Sequence, residues 1–270
     1  MINPSPYKNI AVASAFSPRF EQVLSEAKRM RDRFGSNLSL IYVGERSEAT
    51  TSKFKDALRA RQLPENSPIY YEQGDPADSI LRALRENKID MIVAGALEKE
   101  LVLHQFLGNV ARRLVREASC SVMLFTKPDR EPKPLRKIVF MADYSDHAHA
   151  ALKRTFQLAL GEACERLHVV RLITTFDKAR AKADADGDAA KTHDDEEAEL
   201  EKFILSAGDT EVPIEARCIR GNTPLAAADF VRSIEADLLV VPVAPSSGES
   251  LPSNIAWLGD VIPCNLWLIR

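Results

Sequence analysis

Arg112, Arg113 and Arg116 place three positive charges within five residues, enough to attract an anion. Charged residues on the outer face of a helix need no ligand to explain them, so a solvated face is the expected role. His147 and His149 flank Ala148 and suggest a metal pair. Two apart on a helix, they point in different directions, and solvent-exposed histidines are expected instead. His104 has two readings, contact with a ligand phosphate or a loop cap, and the loop reading is preferred. Ser14 and Ser17 have no neighbouring His–Asp pair, so nothing indicates a nucleophilic triad. The chain has no Gly-x4-Gly-Lys-Ser/Thr sequence, which disfavours a P-loop ATPase. Cys120, Cys164, Cys218 and Cys264 form no CxxC pair, which argues against a zinc knuckle or a redox motif. Reduced, buried thiols are expected, with Cys120 and Cys264 in equivalent core positions.

Positioning these side chains falls to elements that occur twice. Lys8 to Ala13 is a short apolar strand, and Arg136 to Met141 opens a second series in the same style. Each leads through a serine to a helix-period run, with Phe20, Val23, Leu24, Ala27 and Met30 in one copy and Ala148, Leu152, Phe156 and Ala159 in the other. Ser17 with Pro18 is an N-cap and N1 signature, and Gly35 and Gly161 predict the helix ends. Strands follow at Leu38 to Val43 and Leu167 to Ile173, then at Ile69 to Glu72 and Ile214 to Ile219. The turns Gly74-Asp75-Pro76-Ala77 and Gly221-Asn222-Thr223-Pro224 each lead into a helix. Asp90 and Asp237 then precede Met91 to Ala94 and Leu238 to Val241, whose unbroken hydrophobicity predicts parallel strands covered on both faces. Asn109-Val110-Ala111 leads to the strand at Cys120 to Phe125, and Asn254-Ile255-Ala256 to the one at Cys264 to Ile269.

Five strands alternating with four helices in each copy predict two tandem doubly wound α/β domains. Each is a five-stranded parallel sheet with helices on both faces and right-handed crossovers. The expected boundaries are 1–127, a linker at 128–135 carrying Pro128, Pro132 and Pro134, and 136–270. The copies differ chiefly in the second crossover, compact at Ser47 to Gln62 and longer at Lys178 to Leu205. The acid- and alanine-rich run at 184–201 in the longer one is read as a solvated helix or loop.

A net charge of -3 supplies no global positive field, so nucleic acid is not an expected partner. No apolar run approaches the roughly 18–20 residues that span a bilayer, and no secretory signal precedes the first strand, so a cytoplasmic location away from membranes is expected.

From Asp90 to Cys120 the chain resembles the universal stress protein family. Those domains end in a strand, a loop of the form Gly-x2-Gly-x9-Gly-Ser/Thr, a short helix and a final strand. Here the loop reads Gly95-Ala96-Leu97-Glu98, nine residues, then Gly108-Asn109, with Glu98 and Asn109 as departures. Gly74-Asp75-Pro76-Ala77 also looks like the family's turn before its third helix. The resemblance covers nearly the whole chain in two copies and implies the adenine-nucleotide alpha-hydrolase-like fold. It also implies that phosphates meet Gly95, Gly108, Asn109 and Val110, that adenosine meets backbone groups of Ala13 and Val43, and that an acid follows the first strand. Glycines let backbone N–H groups approach phosphates, and a helix start adds its positive end. The first copy lacks the acid, whereas the second has it as Asp143 but carries Pro242 where the glycine step should be, removing a backbone donor.

The role implied is a stress-response protein that acts by binding a small ligand or a protein partner rather than by turnover, with degenerate nucleotide sites. No cofactor is required. A first rival is a true ATP-binding, weakly hydrolysing member using the first copy. A second is a non-nucleotide module in which Asp143, Tyr144 and Ser145 line the pocket. In family dimers the last strands pair across a two-fold axis, so the fusion is expected to join Ser121 to Phe125 with Asn265 to Ile269 as an intramolecular pseudo-dimer, with a further homodimer also open.

Overall fold

The computed structural model describes residues 6–14, 19–96, 99–101, 104–174, 193–221, 225–244, 251–252, 255–260 and 262–270. The chain divides into two units, one formed mainly by Met1–Lys133 and the other by Pro134–Ser246 with Leu251–Ile269.

The first unit runs β1 (Asn9–Ser14), α1 (Phe20–Phe34), β2 (Asn37–Val43), α2 (Glu48–Ala60), β3 (Ile69–Glu72), α3 (Pro76–Glu86) and β4 (Met91–Gly95). It continues through β5 (Lys99–Leu101), β6 (His104–Phe106), α4 (Asn109–Glu117) and β7 (Ser121–Phe125). Its parallel sheet has the order β3-β2-β1-β4-β7. The apolar runs of β1 and β4 lie in the sheet centre and, like that of β7, are buried almost throughout, as unbroken hydrophobicity requires. α1 and α2 meet through Phe20 and Phe54, whose ring centroids lie 5.7 Å apart, while α3 packs against α4. Ser47 caps α2 by accepting from Thr50 N, and Asp75 caps α3 by accepting from Ala77 N and Asp78 N with Pro76 beside it.

The second unit runs β8 (Lys137–Met141), α5 (Asp146–Gly161), β9 (Arg166–Thr174), α6 (His193–Ser206), β10 (Ile214–Gly221), α7 (Leu225–Ser233), β11 (Leu238–Pro242) and β12 (Asn265–Ile269). Its parallel sheet has the order β10-β9-β8-β11-β12, so the two units repeat one topology.

The two aspartates ahead of β4 and β11 acquire a physical reason. Asp90 Oδ2 accepts from Lys8 N and Asn9 N, both at 2.8 Å, and Asp237 Oδ2 accepts from Arg136 N at 2.8 Å and Lys137 N at 2.9 Å. In each unit one carboxylate ties the start of the first strand to the start of the fourth.

Four features depart from the sequence reading. The nine-residue stretch before Gly108 contains the antiparallel β5–β6 hairpin rather than an unstructured loop. In the second unit the described equivalent of α4 is only a 3-10 turn at Ala256–Gly259. Pro252, Gly259 and Pro263 crowd that segment and shorten any helix, whereas α4 is built from good helix formers with an Arg113–Glu117 pair at i,i+4. Gly35 does end α1 in the left-handed conformation at φ 64°, but α5 runs through Gly161 and makes its left-handed turn at Ala163, φ 50°. α1 opens at Phe20 with Arg19 in the cap position, and Ser17 and Pro18 lie outside the described residues.

Candidate ligand-binding site

In the first unit the chain leaves β1 toward β2 on one side, and β4 enters on the other, so the direction of winding reverses between β1 and β4. Open α/β sheets bind ligands at the carboxyl ends of the strands at such a point. Register brings the expected residues to that edge. Ala13 lies opposite Ile41, Ser14 opposite Tyr42, and Val12 opposite Val93, which puts Ala13, Val43 and Gly95 at the ends of three neighbouring strands. A Cβ on Gly95 would lie 3.1 Å from Val23 Cγ2 of α1, so a packing constraint also favours glycine there.

Gly108 occupies the N-cap of α4 in an extended conformation, φ -63° and ψ 160°, with no side chain capping the helix and no acid in its first turn. The amides of Asn109, Val110 and Ala111 have no acceptor within the helix and carry about +0.5 charge in sum. Asn109 is exposed, whereas Gly108 and Val110 are half-buried. Glu98 lies outside the described residues. Arg113 does not reach toward this end as a solvated cation. It bonds Asp78 of α3 at 2.6 Å and Glu117 at 2.6 Å, which locks α4 against α3.

The second unit holds its expected acid differently. Asp143 is exposed, and its Oδ1 accepts from Ser145 N at 3.0 Å and Ser145 Oγ at 2.6 Å. Ser145 Oγ in turn accepts from Ala148 N and caps α5, so the aspartate shapes the turn into the helix. Tyr144 sits at φ 63°, with its ring 5.4 Å from that of Phe203 and the Arg171 guanidinium 4.9 Å from its centroid. Burial pushes its phenol up to about 12. Asp143, Tyr144 and Ser145 thus make internal contacts that account for each of them without a ligand. β11 ends in Pro242, and no described helix starts beyond it to present free amides.

Other candidates resolve as structural groups. His147 and His149 are half-buried rather than exposed, each with Nε2 donating to a carbonyl, Ile269 O at 2.8 Å and Ser206 O at 2.6 Å. Cys120 and Cys164 are buried, while Cys218, on an edge strand, and Cys264 are only partly covered. Desolvation raises all four thiols, Cys120 to about 12, so none is a ready thiolate. Among the described residues no group of three or more His, Cys, Asp or Glu can hold a metal, and no helix is long and apolar enough to cross a membrane.

Periodicity did not reveal His168, a polar residue within the apolar β9 that is 7% exposed. Its Nδ1 lies 3.5 Å from Glu215 Oε2 with no hydrogen bond, beside a cleft also lined by Lys137 and Arg166. Desolvation lowers its pKa, with Glu215 opposing and Arg166, Arg217 and Lys137 assisting. Below the usual histidine value the unfolded chain takes up a proton that the fold resists, so stability should fall as pH drops through about 6.5. Denaturant titrations at pH 7 and pH 5 should show this loss, and His168→Gln should flatten it; an equal slope in the variant would remove histidine 168 as its source.

The described geometry repeats one winding topology twice, and the model of the universal stress protein family matches residues 44–126 and 134–262. The chain belongs to the universal stress protein family. A universal stress protein of Methanothermobacter thermautotrophicus is 31% identical over 88 residues, a match that spans 31% of this chain and 60% of that relative. A protein of unknown function from Pseudomonas aeruginosa PAO1 superposes with a TM-score of 0.72 at 14% identity, covering 98% of this chain and 93% of the other. A universal stress protein from Archaeoglobus fulgidus gives 0.67 at 12% identity, covering 97% and 98%. At these identities the solved structures bear on fold alone, which extends over nearly the whole chain, while the two matched segments show that the family's domain occurs in tandem.

Proposed function

We propose that this universal stress protein acts by binding, that its first unit takes a phosphate-bearing ligand of the adenine nucleotide class, and that its second unit has lost that site. The observation that carries the reading is the start of α4, with no side-chain cap and no acid in its first turn, following the carboxyl end of β4 at the winding reversal. Among the described residues, only a 3-10 turn stands at the equivalent place in the second unit. Ala13 and Val43 offer backbone groups for the adenosine, and Gly95, Gly108, Asn109 and Val110 take the phosphates. Asp143 serves its own turn. No nucleophile or general base is assigned, and ATP acts here as a ligand rather than a substrate.

Gly108→Asp separates binding from folding. The backbone at 108 suits any residue, and aspartate is a preferred N-cap, so the unfolding midpoint should hold or rise. The same carboxylate occupies the amides and repels phosphate. Calorimetric titration with ATP should then show affinity at least tenfold weaker than for the parent chain, with Asp143→Ala unchanged. Absence of binding by the parent chain at millimolar ATP would sink the proposal.

A further inference from the structure

Away from the strand carboxyl ends, the first unit carries an open cleft of about 420 Å³ between the carboxyl-terminal half of α1, the turn after α2 and the segment that follows β7. Lys28, Arg29, Arg33, Arg61 and Arg130 line it, with Asp32 as the only carboxylate in the lining. The acids around the rim are shared. Asp32 serves both Lys28 and Arg31, at 2.7 and 2.6 Å, and Glu21 serves both Arg130 and Arg61, at 2.7 and 3.3 Å. Leaving Arg33 aside, the five cations Lys28, Arg29, Arg31, Arg61 and Arg130 face the three carboxylates of Glu21, Glu26 and Asp32. The carboxyl ends of α1 and α2 contribute only about -0.5 each, too little to cancel that excess.

The cleft is also preformed. Arg29 pairs with Glu26 at 2.6 Å, lies over the Phe125 ring and donates to Lys133 O, while Glu26 accepts from Asp129 N. These contacts pin the segment carrying Arg130 against α1, so a ligand need not order it. Arg61 Nε is enclosed with no acceptor among the described residues, although the residue sits at the cleft wall. Complementing helix ends explains a basic residue in each last turn. It does not explain why Arg130, from neither helix, converges with Arg61 on Glu21.

We propose that this cleft is a second anion site, which binds a linear oligophosphate, free or as the phosphate chain of a nucleotide. The volume falls in the range of small-ligand sites, and planar guanidinium forks suit phosphate oxygens. Bound phosphate competes with Glu21 and Asp32, each of which is shared between two cations.

The probe is inorganic tripolyphosphate, titrated into the full chain by calorimetry at low and moderate salt. Saturable binding that weakens as salt rises is expected, and Lys28→Gln with Arg61→Gln should weaken it at least tenfold. Both side chains are half-buried at the cleft wall and glutamine keeps much of their packing, while their partly solvated ion pairs add little stability, so the unfolding midpoint should stay within a few degrees. In the Gly108→Asp chain the salt-sensitive tripolyphosphate binding that Lys28→Gln with Arg61→Gln weakens should persist, which separates this cleft from the nucleotide site. ATP binding to Gly108→Asp that is lost on adding the two glutamines would identify the nucleotide as the source, and tripolyphosphate binding without it the free anion. No saturable binding at several millimolar, equal affinity in the double variant, or loss of binding in Gly108→Asp would each overturn the proposal.

Discussion

Phe54→Ala is expected to destabilise the first unit by about 3–5 kcal/mol, the usual range when a buried phenylalanine is truncated. Phe54 is fully buried, with its ring edge-on to Phe20 at 5.7 Å and to Tyr42 at 5.4 Å. The cost has two parts: the transfer free energy of the lost ring and the cavity left between α1, α2 and β2. Collapse is limited because Tyr42 is also held by the Tyr71 ring at 6.1 Å. The effect should reach the ligand edge, since Tyr42 immediately precedes Val43. Denaturant unfolding should show the lower midpoint, and ATP titration a weaker affinity for the fraction that remains folded. Phe54→Leu, which refills most of the volume, should recover more than half of the loss. A destabilisation below about 1 kcal/mol in the alanine variant would mean that the three-ring cluster does not anchor α2.

Asp237→Ala is the second large effect, expected at about 2 kcal/mol. The carboxylate accepts two backbone N–H groups, at 2.8 and 2.9 Å, and hydrogen bonds to a charged acceptor contribute roughly 1.5–3 kcal/mol each before solvent screening. Arg136 is exposed, so water compensates part of its lost bond, and the estimate stays at the low end. Asp237→Asn keeps one acceptor oxygen and should cost less than half as much. Asp90→Ala should match Asp237→Ala in size, because its two bonds are both 2.8 Å. An alanine variant as stable as the parent chain would show that the paired bonds contribute nothing.

The repeat and the alternation of strands and helices were legible in the residues, and the reasons are local; the turn at 222–224 lies outside the described residues. β4 and β11 are apolar along their whole length because they lie inside their sheets, so burial on both faces was written into composition. Asp75 with Pro76 announced a helix start, and a capped helix begins there. Where local signals were weak, the reading slipped. Asn254-Ile255-Ala256 matched Asn109-Val110-Ala111 in letters, but the prolines and glycine around it leave only a 3-10 turn. The hairpin before Gly108 had no strong turn dipeptide to reveal it.

Sequence by itself determined that this chain is one α/β unit written twice, because hydrophobic period, caps and turns are short-range properties of neighbouring residues. Tertiary structure decided what the charged and polar residues do. Only folding brings Arg113 to Asp78, commits Asp143 to Ser145, isolates His168 beside Glu215, and gathers Lys28, Arg61 and Arg130 from three separate segments. An ionic or hydrogen-bonding role belongs to a partner as much as to a residue, and those partners lie anywhere from two residues away to more than a hundred.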